Sequence, residues 1–412
     1  MTARENRTLI TALDIGTSKV TAMVAEVLPS GQLSIIGVGE QPSRGLKKGM
    51  VVNIESTMQT ISQAIAHAEA EANCKITKVW TGIAGSHIKS INSSGMVAMK
   101  EREVTQTDID RVIETARAIN IPNDSQILHT EPQEFVIDGN ADVRQPLGMS
   151  GVRLEVKVHI VTGATSASEN ITKCVRRCGL EVSDLVLQPL ASARAVLTDD
   201  EKELGVAVLD IGGGTTDIAI FNRGALCATA SIPIAGDQIT GDIAMALRTP
   251  TRDAETLKHQ YGHALASAVT SDEIIEVPGV GERPPRGMTR ATLAEVISPR
   301  VEELFQLVLG EIRHAGFDSQ SLSSGLVITG GSSLLPGMAE LAEEVFHAPV
   351  RIGVPNYSGS LEQLIRNPRY AASVGLLMTA RDGWLVHDEY RRQGGGAFNM
   401  VGSVKGWLKR NF

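Results

Sequence analysis

The chain has 412 residues, of which 42% are hydrophobic and 21% charged, a balance typical of a soluble globular protein with two or more domains. A net charge of −8 argues against bulk nucleic-acid binding, so no nucleic acid is expected among the partners. No signal peptide and no apolar run of about 20 residues is visible, and the four scattered cysteines fit reduced cytosolic thiols.

Residues 13–20 read Leu-Asp-Ile-Gly-Thr-Ser-Lys-Val. This sequence predicts a tight turn between two strands. Apolar residues on both sides of the turn predict buried strands, with a further strand near 32–40. Asp14 stands at the end of the first strand. A carboxylate in such a position suits a magnesium ion bound beside phosphates.

A helix and a small α+β module are predicted next. Apolar residues at helical spacing predict a helix over 54–70 with Asn53 as its N-cap, followed by a strand over 78–84. Residues 85–163 then contain one helix and three strands, which is enough for a separate module. The predicted module elements are strand 90–99, helix 107–119, strand 127–137 and strand 153–161.

A second copy of the hairpin pattern lies at residues 205–220, where an apolar strand ends on Asp210 and three glycines follow. The glycines at 212–214 can adopt φ > 0 without a Cβ in the way, so backbone N–H groups can close on a phosphate oxygen. On its own, a tight hairpin with an exposed aspartate would look the same. Because Leu-Asp-Ile-Gly occurs twice, we expect two related halves that grip one polyphosphate from both sides.

The second half of the chain predicts mainly helices. A glycine turn at 235–242 should begin a helix that runs to about Leu247. Residues 289–315 predict a long helical stretch that is interrupted or started afresh at Pro299.

The composition changes near the C-terminal end. Residues 382–400, with three consecutive glycines, predict a flexible linker. As a helix, residues 401–412 would carry an apolar side flanked by basic residues, which suits anionic lipid headgroups. A solvated tail or a helix docked on its own core is the alternative. The residues expected to contact the membrane are Val401, Val404, Lys405, Trp407, Leu408, Lys409, Arg410 and Phe412.

Five ordered motifs resemble the nucleotide site of the actin, Hsp70 and sugar-kinase superfamily. They are a phosphate hairpin, a connecting helix, a second phosphate hairpin, an adenosine motif and a second connecting helix, at 13–20, 188–197, 205–220, 327–338 and 371–375. The resemblance implies an α/β, actin-like two-lobed ATPase fold of duplicated ribonuclease-H-like domains, with ATP and Mg²⁺ as cofactors. Neither hairpin matches a Walker loop.

The position of the module narrows this resemblance. An actin would carry its inserted subdomain 1B near residue 40, where this chain has no room. The relocated module is similar to subdomain 1C of the bacterial cell-division family FtsA. That family's plan implies lobe I core (1A) at 1–84, 164–197 and 361–381, subdomain 1C at 85–163, lobe II core (2A) at 198–227 and 301–360, subdomain 2B at 228–300, linker at 382–400 and membrane helix at 401–412.

The resemblance also implies a role for each motif residue. Asp14 and Asp210 would hold Mg²⁺ through water, and Gln188 would position the attacking water for at most a weak ATPase. Glu255 and Lys258, on one helical face, would contact the ribose and base, with a surface ion pair as the alternative. The other residues predicted to bind ATP are Gly16, Thr17, Ser18, Lys19, Gly212, Gly213, Gly214, Thr215, Thr216, Gly236, Gly330, Gly331 and Ser332.

Similarity to this family implies a peripheral protein on the cytoplasmic side of the inner membrane, at the division septum. It would polymerise with itself like actin, anchor the FtsZ ring and recruit downstream divisome proteins. The FtsZ C-terminal peptide would bind subdomain 2B, with its carboxylates on Arg286, Arg290 and Arg300, unless these belong to a solvated loop. A PilM-like pilus-assembly module and a small-molecule kinase of the same superfamily are the alternatives.

Overall fold

The computed structural model describes residues 7–270, 273–281 and 283–392. Its strands are β1 (Leu9–Ile15), β2 (Lys19–Val27), β3 (Leu33–Pro42), β4 (Leu46–Lys47), β5 (Met50–Val51), β6 (Lys78–Ile83), β7 (Lys89–Ala98), β8 (Ser125–Ile137), β9 (Asn140–Val143), β10 (Arg153–Ala164), β11 (Glu181–Leu187), β12 (Val206–Ile211), β13 (Thr216–Asn222), β14 (Ala225–Ile232), β15 (Ile274–Val277), β16 (Arg286–Thr289), β17 (Leu326–Thr329) and β18 (Val350–Ile352). Its α-helices are α1 (Ile54–Ala72), α2 (Gln106–Arg117), α3 (Thr165–Arg177), α4 (Gln188–Val196), α5 (Asp199–Leu204), α6 (Gly236–Ala246), α7 (Thr251–Tyr261), α8 (Arg290–His314), α9 (Met338–Phe346), α10 (Glu362–Ile365) and α11 (Ala371–Arg392).

Two five-stranded sheets with the same strand plan form the cores of two lobes. Their orders are β3-β2-β1-β6-β11 in lobe I and β14-β13-β12-β17-β18 in lobe II. In both sheets, an antiparallel hairpin carries the glycine turn. The first strand of each hairpin pairs in parallel with the strand on its other side, β6 in lobe I and β17 in lobe II. The registers correspond, since Asp14 lies opposite Thr21 and Asp210 lies opposite Asp217. The repeated tetrapeptide therefore predicted the two related halves correctly.

Helices cover both faces of each sheet, as the continuous apolar runs of the central strands require. Helices α1 and α3 pack on one face of the lobe I sheet, while α4 and α11 pack on the other. The cluster around α4 and α11 also includes Val206, Val208 and Val327 of lobe II. These two helices therefore join the lobes and form the floor of the cleft between them.

The inserted module is a four-stranded sheet, ordered β7-β10-β8-β9, with α2 packed on one face. The short strand β9 was not expected from the sequence. Although the module is inserted in lobe I, its strands rest on β14 of lobe II. The Oγ of Ser90 donates to the Thr229 carbonyl at 2.9 Å, and Nε2 of Gln133 donates to the Leu226 carbonyl at 2.9 Å. The module therefore bridges the two lobes on the side away from the glycine turns.

His159 lies buried at the junction between the module and β14. It makes the packing of the module on β14 sensitive to pH. Its ring nitrogens lie 2.7 Å from Oδ1 of Asn92 and 3.1 Å from Oγ1 of Thr229. Burial lowers the pKa of His159 from its ordinary 6.5 to about 4. Between these values the unfolded chain binds a proton that the folded protein excludes. The stability due to the neutral ring is thus full above pH 6.5 and declines as the pH falls toward 4.

We expect wild type to lose about 2 kcal/mol of unfolding free energy between pH 7.5 and 5 through this group. A His159→Gln variant should lack that part of the loss, while keeping the contribution of every other titrating residue. Urea denaturation of both proteins at the two pH values measures the difference. The same pH dependence in both would show that His159 is not excluded from protonation.

Two sequence predictions need correction. Helix α8 runs through Pro299 without a break, although Pro299 was expected to interrupt or restart it. Pro299 is exposed, so the Glu295 carbonyl that loses its N–H partner faces solvent, while buried Ile297 and Val301 hold both halves on one core. The linker predicted at 382–400 does not begin at 382, because α11 continues to Arg392.

The remainder of the predicted linker and the membrane helix predicted at 401–412 lie outside the described residues. Within the described ranges, none of the helices combines the length and the apolar character needed to cross a bilayer.

Candidate functional site

The two glycine turns have the same backbone geometry. The N–H of Gly16 donates to the Lys19 carbonyl at 3.0 Å, and the N–H of Gly212 donates to the Thr215 carbonyl at 3.0 Å. Each bond closes a compact turn directly after a strand whose next-to-last residue is an aspartate. The two hairpins are therefore equivalent in structure as well as in sequence.

These turns face each other at close range. A Cβ built on Gly213 would lie 2.8 Å from Cβ of Ser18, and one built on Gly214 would lie 2.7 Å from Oγ1 of Thr17. Real Cβ atoms do not approach other atoms so closely, so only glycine fits at these positions. The structure thus brings the two turns together, and their predicted grip on one polyphosphate stays a prediction.

A cleft of about 450 Å³ opens between the lobes at these turns, which is a suitable size for a nucleotide. Residues of all five sequence motifs meet there. The predicted residues that line it are Asp14, Gly16, Thr17, Ser18, Lys19, Gln188, Asp210, Gly212, Gly213, Gly214, Thr215, Gly236, Glu255, Lys258, Gly330, Gly331 and Ser332. Thr216, predicted to bind ATP, does not reach the cleft because its buried Oγ1 donates to the Ile234 carbonyl at 2.8 Å.

Two serines hold the aspartates of the turns. The Oγ of Ser373, in α11, donates to Oδ2 of Asp14 at 3.1 Å, and the Oγ of Ser192, in α4, donates to Asp210. Sequence reasoning missed both serines. The repeated Ala-Ser in the two connecting helices could have identified them, because it places a hydroxyl at the same point in each half.

The carboxyl groups in the cleft are buried and hard to ionise. Burial raises the pKa of Asp14, and it raises that of Asp210 to about 7 with repulsion from Asp217 and Asp14 adding to the effect. Burial also raises the pKa of Asp217 to about 6. Desolvated carboxylates near one another resist ionisation unless a positive charge joins them. Mg²⁺ takes one or two carboxylates and keeps several waters, so Asp14 and Asp210 could hold it, and this role stays a prediction.

Gln188 lies at the start of α4, beside the aspartate of the first turn. Its Nε2 donates to Oδ1 of Asp14 at 2.6 Å. A Cβ on Gly82 would come within 2.8 Å of the Gln188 side chain, so the amide packs closely against β6. Its predicted role in positioning a water stays a prediction, and its place beside the expected metal ligand suits that role.

Glu255 and Lys258 contact each other beside Gly236, whose N–H donates to the Gly212 carbonyl of the second turn at 3.2 Å. The Nζ of Lys258 is 2.7 Å from the Glu255 carboxylate and donates to the Gly236 carbonyl at 3.1 Å and to Oγ1 of Thr240 at 2.8 Å. Lys258 is buried while the Glu255 side chain is 41% exposed, so the ion pair of the alternative is present and only half of it is at the surface, and contact with the ribose stays a prediction. These contacts fix both side chains in the lining of the cleft.

Apolar residues complete this end of the cleft, and sequence reasoning missed them. Ile239, Leu334, Leu335 and Pro336 line it beside the glycines of the adenosine motif. Leu334 is half exposed and would be covered by a ligand in the cleft. Apolar residues in a loop carry no sign of ligand contact in the sequence itself.

The three arginines predicted to bind a peptide are engaged within their own subdomain. Arg286 donates to the Leu247 carbonyl at 2.6 Å, Arg290 pairs with Glu273 at 3.0 Å, and Arg300 pairs with Asp242 at 2.5 Å. Among them Arg286 is exposed. Their contact with a peptide stays a prediction, and it would require these groups to share their donors.

The duplicated lobes, the facing turns and the aspartates define an actin-like ATPase fold with a cleft between its lobes. Solved structures share it: a PilM-PilN type IV pilus biogenesis complex has a TM-score of 0.63 at 19% identity, covering 90% of this chain and 98% of that one. MreB 5 of Spiroplasma citri bound to AMPPNP has a TM-score of 0.56 at 14% identity, covering 95% and 100%. At such identities the likeness shows the fold alone.

Sequence comparison identifies the family. The family model "Cell division protein FtsA" matches residues 207–375, and "SHS2 domain inserted in FTSA" matches residues 85–162. Curated FtsA proteins of Pseudomonas aeruginosa, Neisseria meningitidis and Escherichia coli are 57%, 49% and 45% identical, covering 92%, 98% and 98% of this chain and 90%, 98% and 97% of theirs. The chain belongs to the FtsA family of cell division proteins. The predicted fold class, with its relocated module, is confirmed.

Proposed function

We propose that this division protein binds ATP with Mg²⁺ between its lobes and, in that state, polymerises on the cytoplasmic face of the inner membrane. The observation that carries the proposal is the approach of Gly213 and Gly214 to Ser18 and Thr17 across the cleft. A nucleotide held from both sides would fix the angle between the lobes. That angle would decide whether one subunit fits the next in a filament.

The filament would connect the FtsZ ring to the membrane. Subdomain 2B would receive the C-terminal peptide of FtsZ, with the exposed Arg286 as the arginine best placed to meet its carboxylates. The inserted module would contact downstream divisome proteins. Hydrolysis by the Gln188 site would be slow, so that nucleotide acts mainly as a switch.

Membrane attachment would come from residues 401–412 and would depend on polymerisation. A segment with few apolar anchors gives only marginal, reversible binding to a bilayer. Many segments on one filament bind together, and avidity can strengthen attachment by roughly 10² to 10⁴ without any new contact. ATP binding would thereby control the recruitment of the protein to the septum.

Deletion of residues 401–412 should abolish co-sedimentation with vesicles of anionic lipid while leaving ATP affinity unchanged. The deleted segment supplies the apolar side and the basic residues that bind lipid. The residues that line the cleft all lie earlier in the chain, so ATP binding should not change. Charge reversal of Lys405, Lys409 and Arg410 to glutamate is the matched variant, and it should lose binding without losing length. A pilus-assembly module would not need this segment, so equal sedimentation of all three proteins would contradict the proposal.

Filament formation is checked separately. With ATP, Mg²⁺ and an anionic lipid monolayer, electron microscopy of the full chain should show filaments, and omission of nucleotide should reduce them. Absence of filaments under both conditions would count against the polymerisation step while leaving membrane binding intact.

A further inference from the structure

Four side chains form a charged cluster at the edge of the cleft, beside the first glycine turn. The Nζ of Lys19 lies 3.0 Å from Oε2 of Glu40 and 4.0 Å from the centre of the Tyr370 ring. The guanidinium of Arg369 pairs with Oε1 of the same glutamate and lies 5.3 Å from the same ring. One carboxylate therefore pairs with two cations that both lie near the same aromatic ring.

The segment that carries Arg369 and Tyr370 contacts both lobes beside the cleft. The Pro368 carbonyl accepts the N–H of Gly330 at 3.3 Å, at the adenosine motif of lobe II. Five residues further on, Ser373 donates to Asp14 in lobe I. The cluster is thus placed where the adenosine motif, the first phosphate turn and the aspartates meet.

The balance of charge in this cluster leaves room for a further anion. Glu40 is the one carboxylate within ion-pair distance of Lys19 and Arg369 in the part of the chain that the structure describes. Their side chains are 19% and 38% exposed, and both line the cleft. A partly desolvated pair of cations with one partner attracts a second anion more strongly than two solvated cations would.

We propose that Arg369 joins Lys19 in binding the phosphate chain of the nucleotide, and that Glu40 competes with the phosphates for both cations. This inference rests on the proposed ATP binding at the cleft. A triphosphate carries more negative charge than a diphosphate, so it replaces Glu40 as the partner of the two cations more effectively. Glu40 is accordingly a positioning residue that sets the preference for ATP over ADP.

The same competition would connect nucleotide state to the hinge. Arg369 and Tyr370 directly precede α11, whereas Glu40 belongs to β3 of lobe I. When Lys19 and Arg369 bind phosphate instead of Glu40, the ion pair between Glu40 of β3 and Arg369 before α11 weakens. The cluster therefore offers a path from the phosphates to one of the two helices that join the lobes.

The test measures Mg·ATP and Mg·ADP affinities of the full chain by calorimetry. A Glu40→Gln variant should bind ATP about 5- to 10-fold more tightly and ADP less than about 3-fold more tightly, because the competing charge is gone. Arg369→Gln should weaken ATP binding by a similar factor and ADP binding by less. Arg369→Lys should recover part of the lost affinity. Glu26→Gln, on the neighbouring strand with only a 3.8 Å contact to Arg7, is the matched control and should change neither.

Two outcomes would overturn the inference. If Glu40→Gln weakens the binding of ATP and ADP equally, or leaves the ratio of the two affinities unchanged, Glu40 merely supports the local fold. A protein with both Glu40→Gln and Arg369→Gln should not show the sum of the two single changes in ATP binding free energy; if the two changes simply add, the two residues do not act on the same phosphate. Failure of wild type to bind ATP at millimolar concentration would instead reject the proposed function, and this inference with it. Thermal unfolding without nucleotide shows whether each variant is folded.

Discussion

Replacement of Gly214 by valine should reduce ATP affinity about 100-fold. The Cβ alone would lie 2.7 Å from Oγ1 of Thr17, and valine adds two methyl groups at the same point. The strain can be relieved only by moving the two turns apart, and then they no longer reach the same phosphate. Overpacking of this kind costs about 1–3 kcal/mol, and 1.4 kcal/mol corresponds to a tenfold change in affinity.

Calorimetry with ATP and Mg²⁺ measures this loss, and a second glycine gives the control. Gly310 lies on the exposed side of α8 with no atom within 4 Å of an added Cβ. Gly310→Val should leave ATP affinity unchanged and should not destabilise the helix, because valine is a better helix former than glycine. Equal ATP affinity in the Gly214→Val and Gly310→Val proteins would show that the turns do not share one ligand.

Replacement of Gly375 by valine should lower the free energy of unfolding by about 3 kcal/mol or more. A Cβ at Gly375 would lie 1.7 Å from the carbonyl oxygen of Ala191, where α11 crosses α4. The obstacle is backbone in the middle of a helix, so it cannot rotate away as a side chain could. The two helices that join the lobes would have to separate, which would open the shared core around Val374 and Ala193.

Urea denaturation monitored by circular dichroism measures the effect of Gly375→Val. Gly375→Ala should also be destabilising, by less, because a single methyl requires a smaller shift of the helices. The Gly310→Val protein again serves as the control, with stability close to that of wild type. A Gly375→Val protein as stable as wild type would mean that α4 and α11 do not cross at this distance.

The hairpins were predictable because all of their information is local. Asp14 and Asp210 each stand between an apolar strand and a glycine turn, and the repeated tetrapeptide shows that the two turns are related. The same holds for the N-cap of α1, where Asn53 accepts the N–H of Ser56 as its position predicted. Signals of this kind lie within a few residues of the feature that they specify.

Contacts between distant parts of the chain were not predictable in this way. Glu40 and Arg369 meet across more than 300 residues, and neither belongs to a recognisable motif. The strand β9 is short and polar, so its pairing with β8 is visible only in the assembled sheet. The continuation of α8 through Pro299 likewise depends on the core beneath it, which overrides the local preference to break.

The central claim is that the two turns hold one nucleotide between the lobes, and a crystal structure of the chain with Mg²⁺ and a non-hydrolysable ATP analogue tests it most directly. The account predicts phosphates between Gly16 to Ser18 on one side and Gly212 to Thr215 on the other, with Mg²⁺ linked through water to Asp14 and Asp210. A nucleotide bound elsewhere, or phosphates that contact one turn alone, would contradict it.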